Sequence, residues 1–131
     1  MALNLVIITP KGIYLEERVD ALTVKMTSGY RTILGGHYPL IGTLAIAPMH
    51  ITKGDNKMFY SVSGGALNVS KEKVTLITNA IEAKDDIDID RANASKERAE
   101  KRLKEKLEET DLKRASASLA RALSRIKTYN S

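Results

Sequence analysis

Apolar positions follow two different rhythms along this chain. Up to about residue 84 they come in short runs separated by turn residues, and beyond it they recur every three or four residues. Leu3-Asn4-Leu5-Val6-Ile7-Ile8-Thr9 predicts a strand, Pro10-Lys11-Gly12 a turn, and Ile13-Tyr14-Leu15 a returning strand. Residues 19–26 alternate with period two, which predicts one further strand. Ile33-Leu34 and Leu40-Ile41 flank a glycine-proline loop, and Lys53-Gly54-Asp55-Asn56 reads as a hairpin turn between residues 46–52 and 57–62. Two more short strands are expected at residues 66–70 and 74–78, joined by Lys71-Glu72-Lys73. Gly64-Gly65 falls between strands and reads as a bulge or tight turn rather than a phosphate cradle. Strands at this spacing predict an antiparallel sandwich or barrel over residues 1–84, enough chain to bury its own core.

Residues 85–131 read as two helices. Asp85-Asp86-Ile87-Asp88-Ile89-Asp90 places acids at a helix start, where they cap free N–H groups and suit the dipole. Only helix formers and small polar residues follow from Arg91 to Glu109, with Ala92, Ala99, Leu103 and Leu107 near one face. Glu109-Thr110-Asp111 then reads as a break with capping residues. A second amphipathic helix is expected with Leu112, Ala115, Leu119, Ala122, Leu123 and Ile126 along its seam. Two helices so closely linked predict an antiparallel hairpin. Its seam is rich in alanine, and burial stabilises by only ~25 cal/mol per Å² of apolar area, so the hairpin is expected to dock marginally and to open. The fold class is therefore α+β, an N-terminal antiparallel β-sandwich followed by a C-terminal two-helix hairpin.

Composition sharpens this division. Residues 1–84 carry 9 Lys and Arg against 6 Asp and Glu, while residues 85–131 carry 12 against 10. All eight glycines and all three prolines lie at or before Gly65, which puts the boundary near Ala83-Lys84-Asp85. The chain has no cysteine, which excludes disulfides, thiolate chemistry and Cys-ligated zinc. Two histidines, His37 and His50, exclude a histidine-rich metal site, and each reads as structural because no partner acid or base lies near in sequence. No nucleophile elbow, zinc-protease helix, P-loop or dinucleotide fingerprint occurs. No apolar run approaches the ~18 residues of a membrane span, and the N-terminus carries no basic n-region, so a cytoplasmic protein is expected. A net charge of +5 suggests an anionic partner. Six aromatics without a basic stacking cluster make nucleic acid the weaker reading of that charge.

The arginines carry more information. Arg91, Arg98 and Arg102 are spaced by seven and four, and Arg114, Arg121 and Arg125 repeat that spacing, so each trio shares a helix face. Spacing alone favours a solvated face paired with nearby glutamates. The alternative is that both faces converge in the hairpin, where guanidinium forks would grip phosphate oxygens. The acids at the helix start oppose an anion site at the helix end itself.

Gly36-His37-Tyr38-Pro39-Leu40, Val62-Ser63-Gly64-Gly65, Val74-Thr75-Leu76-Ile77 and Asp86-Ile87-Asp88-Ile89-Asp90-Arg91-Ala92, in this order and spacing, resemble the epsilon subunit of the F-type ATP synthase over essentially the whole chain. The resemblance implies a sandwich followed by a helical hairpin and no catalysis by this subunit. It implies a place in the rotor stalk on the cytoplasmic face of the bacterial plasma membrane, with a sandwich (1–84) that binds the gamma subunit and c-ring. Its hairpin (85–131) would extend along gamma toward the alpha/beta catalytic head and restrain ATP hydrolysis. In Bacillus-like members the folded hairpin binds ATP through I/L-D-x-x-R-A, here Ile87-Asp88-Ile89-Asp90-Arg91-Ala92. By the same resemblance Glu82, Ile87, Asp88, Arg91, Ala92, Arg98, Arg121 and Arg125 are the expected ATP contacts, with no metal ligand among them and magnesium left open. The competing readings are a stalk subunit without nucleotide and a basic nucleic-acid-binding module. Two departures touch the sandwich: residues 29–37 read Gly-Tyr-Arg-Thr-Ile-Leu-Gly-Gly-His, and Asn68 stands where an acid is usual after the double glycine.

Overall fold

The computed structural model describes residues 2–105 and 108–131. Eight strands lead into two helices: β1 (Leu3–Thr9), β2 (Gly12–Val19), β3 (Ala21–Met26), β4 (Gly29–Leu34), β5 (Leu40–Lys53), β6 (Asn56–Val69), β7 (Lys73–Ile77), β8 (Ile81–Ala83), α1 (Ile89–Leu103) and α2 (Glu109–Tyr129). A 3₁₀ turn, Lys84–Asp86, joins the two parts. The strands run in the order β2-β1-β7-β6-β5-β3-β4, with β8 also on β6. Among the described residues no helix is long and apolar enough to cross a membrane.

The sandwich closes because β5 and β6, 14 residues each, run through both layers. They pair from Leu40↔Val69 to Lys53↔Asn56, closed by a two-residue loop whose Gly54 sits at φ 60°, as the first position of a II′ turn requires. Between the layers lie Leu5, Ile7, Leu22, Ile33, Ile51, Leu67 and Leu76, all fully buried. Each contributes roughly 1.5–3 kcal/mol relative to exposure. His37 is a loop residue whose Nδ1–H donates to the Tyr38 carbonyl at 2.7 Å.

Several expectations change. Residues 66–69 are not a separate strand but the end of β6, Ser70 lies beyond it, and Gly64-Gly65 lies inside β6 with no register shift. Both glycines have positive φ, 78° and 135°, so β6 bends there instead of bulging or turning. The bend hands β6 from β8, at Tyr60↔Ala83, to β7, at Ala66↔Ile77. Buried Thr78 fixes the handover by donating its hydroxyl to the Gly64 carbonyl at 2.6 Å. Residues 19–26 are likewise not one strand: Asp20 separates β2 from β3, its carboxylate accepting the Gly54 N–H at 2.6 Å. Nor is the sheet wholly antiparallel, since β1 and β7 pair in parallel.

In the helical part Asp88 is the N-cap of α1, its Oδ1 accepting the Arg91 N–H at 3.1 Å. The expectation that this helix runs to Glu109 fails. α1 ends at Leu103, where the Lys104 and Glu105 N–H groups bond three residues back. Glu109, Thr110 and Asp111 form the first turn of α2 rather than a break, and the two acids there suit its dipole. Leu107 lies outside the described residues.

α1 packs chiefly on α2, and α2 on β5, β6 and the 3₁₀ turn. Ala92 and Ala99 on α1, and Ala115 and Ala122 on α2, are buried. Leu123, expected on the seam, is instead 45% exposed, because buried Ala122 and Ser124 on either side take the inward positions. Toward the sandwich α2 presents small polar side chains, Ser124 and Thr128, both buried. Thr128 satisfies its own hydroxyl by donating to the Ser124 carbonyl at 2.8 Å.

Candidate functional site

A cleft of about 360 Å³ opens where β8, the 3₁₀ turn, α1 and α2 meet. Each wall is set by a local rule. Glu82 is on β8, paired by register with Ser61 of β6. Asp86 closes the 3₁₀ turn, and Asp88 is fixed as the cap of α1. Arg91, Ala92 and Ser95 lie on one face of the first turns of α1, and Arg125 enters from α2. Arg91 and Arg125 therefore converge from two different helices on one cavity.

The two guanidiniums differ in state. Arg125 Nε donates to Glu82 Oε1 at 2.5 Å, with about a third of each side chain exposed. That uses one of its five N–H donors, and among the described residues no side chain engages the rest. Arg91 is exposed and has no ion-pair partner among the described residues. Three carboxylates face these two cations, so the cleft is not an anion trap by formal count. Any hold on an anion would have to come from the unspent guanidinium donors. Among the described residues no group of three or more acidic, histidine or cysteine side chains is arranged to hold a metal ion. Beside the cleft, burial and then the Asp86 and Glu82 carboxylates hold the Tyr14 phenol above its ordinary range. The Tyr14 ring packs edge-on against Tyr60 at 6.3 Å.

Of the residues expected from sequence, the structure brings Glu82, Asp88, Arg91, Ala92 and Arg125 to the cleft. Ile87 is buried beside it. Arg98 and Arg121 do not line it. Each instead donates Nη2 to a serine three residues earlier on its own helix, Arg98 to Ser95 at 3.0 Å and Arg121 to Ser118 at 3.1 Å. Asp86 and Ser95 are cleft residues that sequence reasoning missed. The signal for Ser95 was its place four residues after Arg91 and three before Arg98.

The model of the ATP synthase delta/epsilon chain beta-sandwich domain matches residues 2–84, and that of the delta/epsilon chain long alpha-helix domain matches residues 85–130. A Mycoplasmopsis pulmonis ATP synthase epsilon chain is 46% identical over 94 residues, covering 70% of this chain and 67% of that one. One from Anoxybacillus flavithermus is 40% identical over 100 residues, covering 76% and 75%. Among solved structures, a chain of the Euglena gracilis mitochondrial ATP synthase superposes with a TM-score of 0.88 at 20% identity, over 99% of this chain and 82% of that chain. A chain of the Tetrahymena thermophila mitochondrial ATP synthase gives 0.65 at 16%, over 99% and 95%. At those identities the likeness shows the fold.

Proposed function

Because the chain belongs to the ATP synthase delta/epsilon chain family, as an epsilon subunit of the central stalk, we propose that it is a non-catalytic regulator whose folded hairpin binds ATP in this cleft. The observation that carries the reading is the meeting of Arg91 from α1 with Arg125 from α2 across one cavity, beside Glu82. A polyphosphate between them bridges both helices. ATP then adds RT ln(1 + [ATP]/Kd) to the closed form. When ATP is scarce, the small polar face of α2 lets go of β5 and β6. The helices extend along the gamma subunit toward the alpha/beta head and restrain ATP hydrolysis.

In this reading residues 1–84 hold the gamma subunit and the c-ring. Residues 85–131 are the regulatory unit. The protein is attached to the cytoplasmic face of the bacterial membrane only through its complex, takes part in proton-driven ATP synthesis as a rotor component, and has no nucleic-acid partner.

Calorimetric titration of the full chain with ATP tests this. Saturable one-to-one binding that is lost in Arg91→Ala and Arg125→Ala supports it. Absence of binding by the unsubstituted chain leaves the purely structural stalk subunit, which the acidic majority of the cleft favours.

A further inference from the structure

We propose that Ser95 is a further ligand-positioning residue of this cleft, a hydroxyl relay that carries the charge of Arg98 into it. The inference rests on the nucleotide reading above and names a contact that the arginine spacing did not contain.

Ser95 is the one uncharged side chain with a hydrogen-bonding group among the residues lining the cleft. Its Oγ accepts from Arg98 Nη2 at 3.0 Å. A serine hydroxyl also has one proton to donate. Helical serines and threonines commonly send that proton back to the carbonyl four residues earlier, as Thr128 does to Ser124. Among the described residues Ser95 makes no such bond, so its O–H is uncommitted at a position that lines the cavity. Arg98 itself is absent from the lining. The guanidinium thus reaches the cleft at one remove: it donates to Ser95, and the polarised Ser95 O–H donates onward to an anionic oxygen.

The chemistry suits phosphate. A hydroxyl already accepting from a cation is a stronger donor, because hydrogen bonds in series polarise one another. It also adds a donor to the cleft without adding positive charge beside Arg91, four residues back on the same face. Ser118 holds Arg121 at 3.1 Å in the same way on α2, but Ser118 does not line the cleft. Only the α1 member of this pair is placed to relay.

Calorimetric titration of the full chain with ATP reads the proposal out. Ser95→Ala should weaken binding roughly tenfold, the expected loss of one charge-assisted hydrogen bond. Ser95→Thr, which keeps the hydroxyl, should bind within about threefold of the parent. The double variant Ser95→Ala/Arg98→Ala should bind no more weakly than Ser95→Ala alone, because Arg98 acts on the cleft only through the Ser95 hydroxyl. A merely structural serine gives additive losses instead, and additive losses overturn the proposal. Parent-like affinity in Ser95→Ala also overturns it, while the nucleotide site stands. If the unsubstituted chain takes up no ATP, the nucleotide reading falls and the relay with it.

Discussion

Ser61 on β6 and Ser124 on α2 meet hydroxyl to hydroxyl at 2.8 Å, both buried. Register places Glu82 beside Ser61 on the neighbouring strand, and chain order places Arg125 beside Ser124. Two adjacent residues of α2 therefore engage two adjacent strands, one by a neutral hydrogen bond and one by an ion pair. Removing one hydroxyl orphans the other, whereas removing both removes the need. Ser61→Ala and Ser124→Ala should each destabilise the docked hairpin by about 1–2 kcal/mol, and the double variant by clearly less than their sum. Hydrogen exchange of the α2 amides measures this, and strict additivity would contradict it.

The Glu82–Arg125 pair should add little to stability despite its short geometry. Both side chains are about a third exposed, where solvent screens the attraction. Glu82→Gln should lower the denaturation free energy by less than about 1 kcal/mol. A loss of several kcal/mol in urea unfolding would show the pair to be buried and structural.

Gly65 should be far less forgiving. A Cβ there would lie 1.9 Å from the Ile77 carbonyl oxygen, and its φ of 135° is outside the range of ordinary residues. Gly65→Ala should cost about 2–4 kcal/mol by thermal unfolding. Gly54→Ala should cost less, since a Cβ at that turn meets nothing within 4 Å and only its positive φ is strained.

His50 gives the fold an acid-side sensitivity. Burial, and then the nearby Lys57 charge, hold its imidazole below the ordinary value of 6.5. The unfolded chain therefore binds the proton more readily than the native one. This contribution to stability is complete above the unfolded pKa and is lost as pH falls through the native value. His50→Gln should flatten the denaturant midpoint between about pH 5 and 7 relative to the parent. An unchanged slope would assign the acid sensitivity to other groups.

Shortening the chain at Glu108 should abolish helix signal altogether, not merely the 21-residue share of α2. α1 has 15 residues and packs chiefly on α2. A helix of that length is marginal alone in water. Circular dichroism of the shortened chain, compared with the isolated sandwich, distinguishes the two outcomes.

How far the sequence disclosed all this depended on how local each cause was. A cap within the acidic run 85–90 was readable, though not that it is Asp88, because its partner, the Arg91 N–H, is only three residues away. Hairpin β5–β6 was readable from Gly54-Asp55. The continuity of β6 was not, since a glycine pair that bends a strand looks the same in sequence as one that ends it. The parallel β1–β7 pair is set by residues about seventy apart and leaves no local mark. In the cleft, spacing put Arg91 and Arg125 on defined faces, the family motif added Asp88 and Ala92, and the wider resemblance added Glu82. Ser124, Thr128 and Ser95 escaped notice because a hydrophobic pattern scores small hydroxyl residues as solvent-facing, and here they face protein or cavity.

The order of packing also reverses the order of synthesis. α1 is synthesised before the helix it leans on, and the sandwich beneath offers it little direct support. The cleft shares this delay, because Arg125 on the α2 wall is translated 34 residues after Arg91 on the α1 wall. A growing chain should thus complete its β-layer first, carry a slack acidic and basic tail for some thirty residues of elongation, and gain any ligand response in one late step as α2 settles.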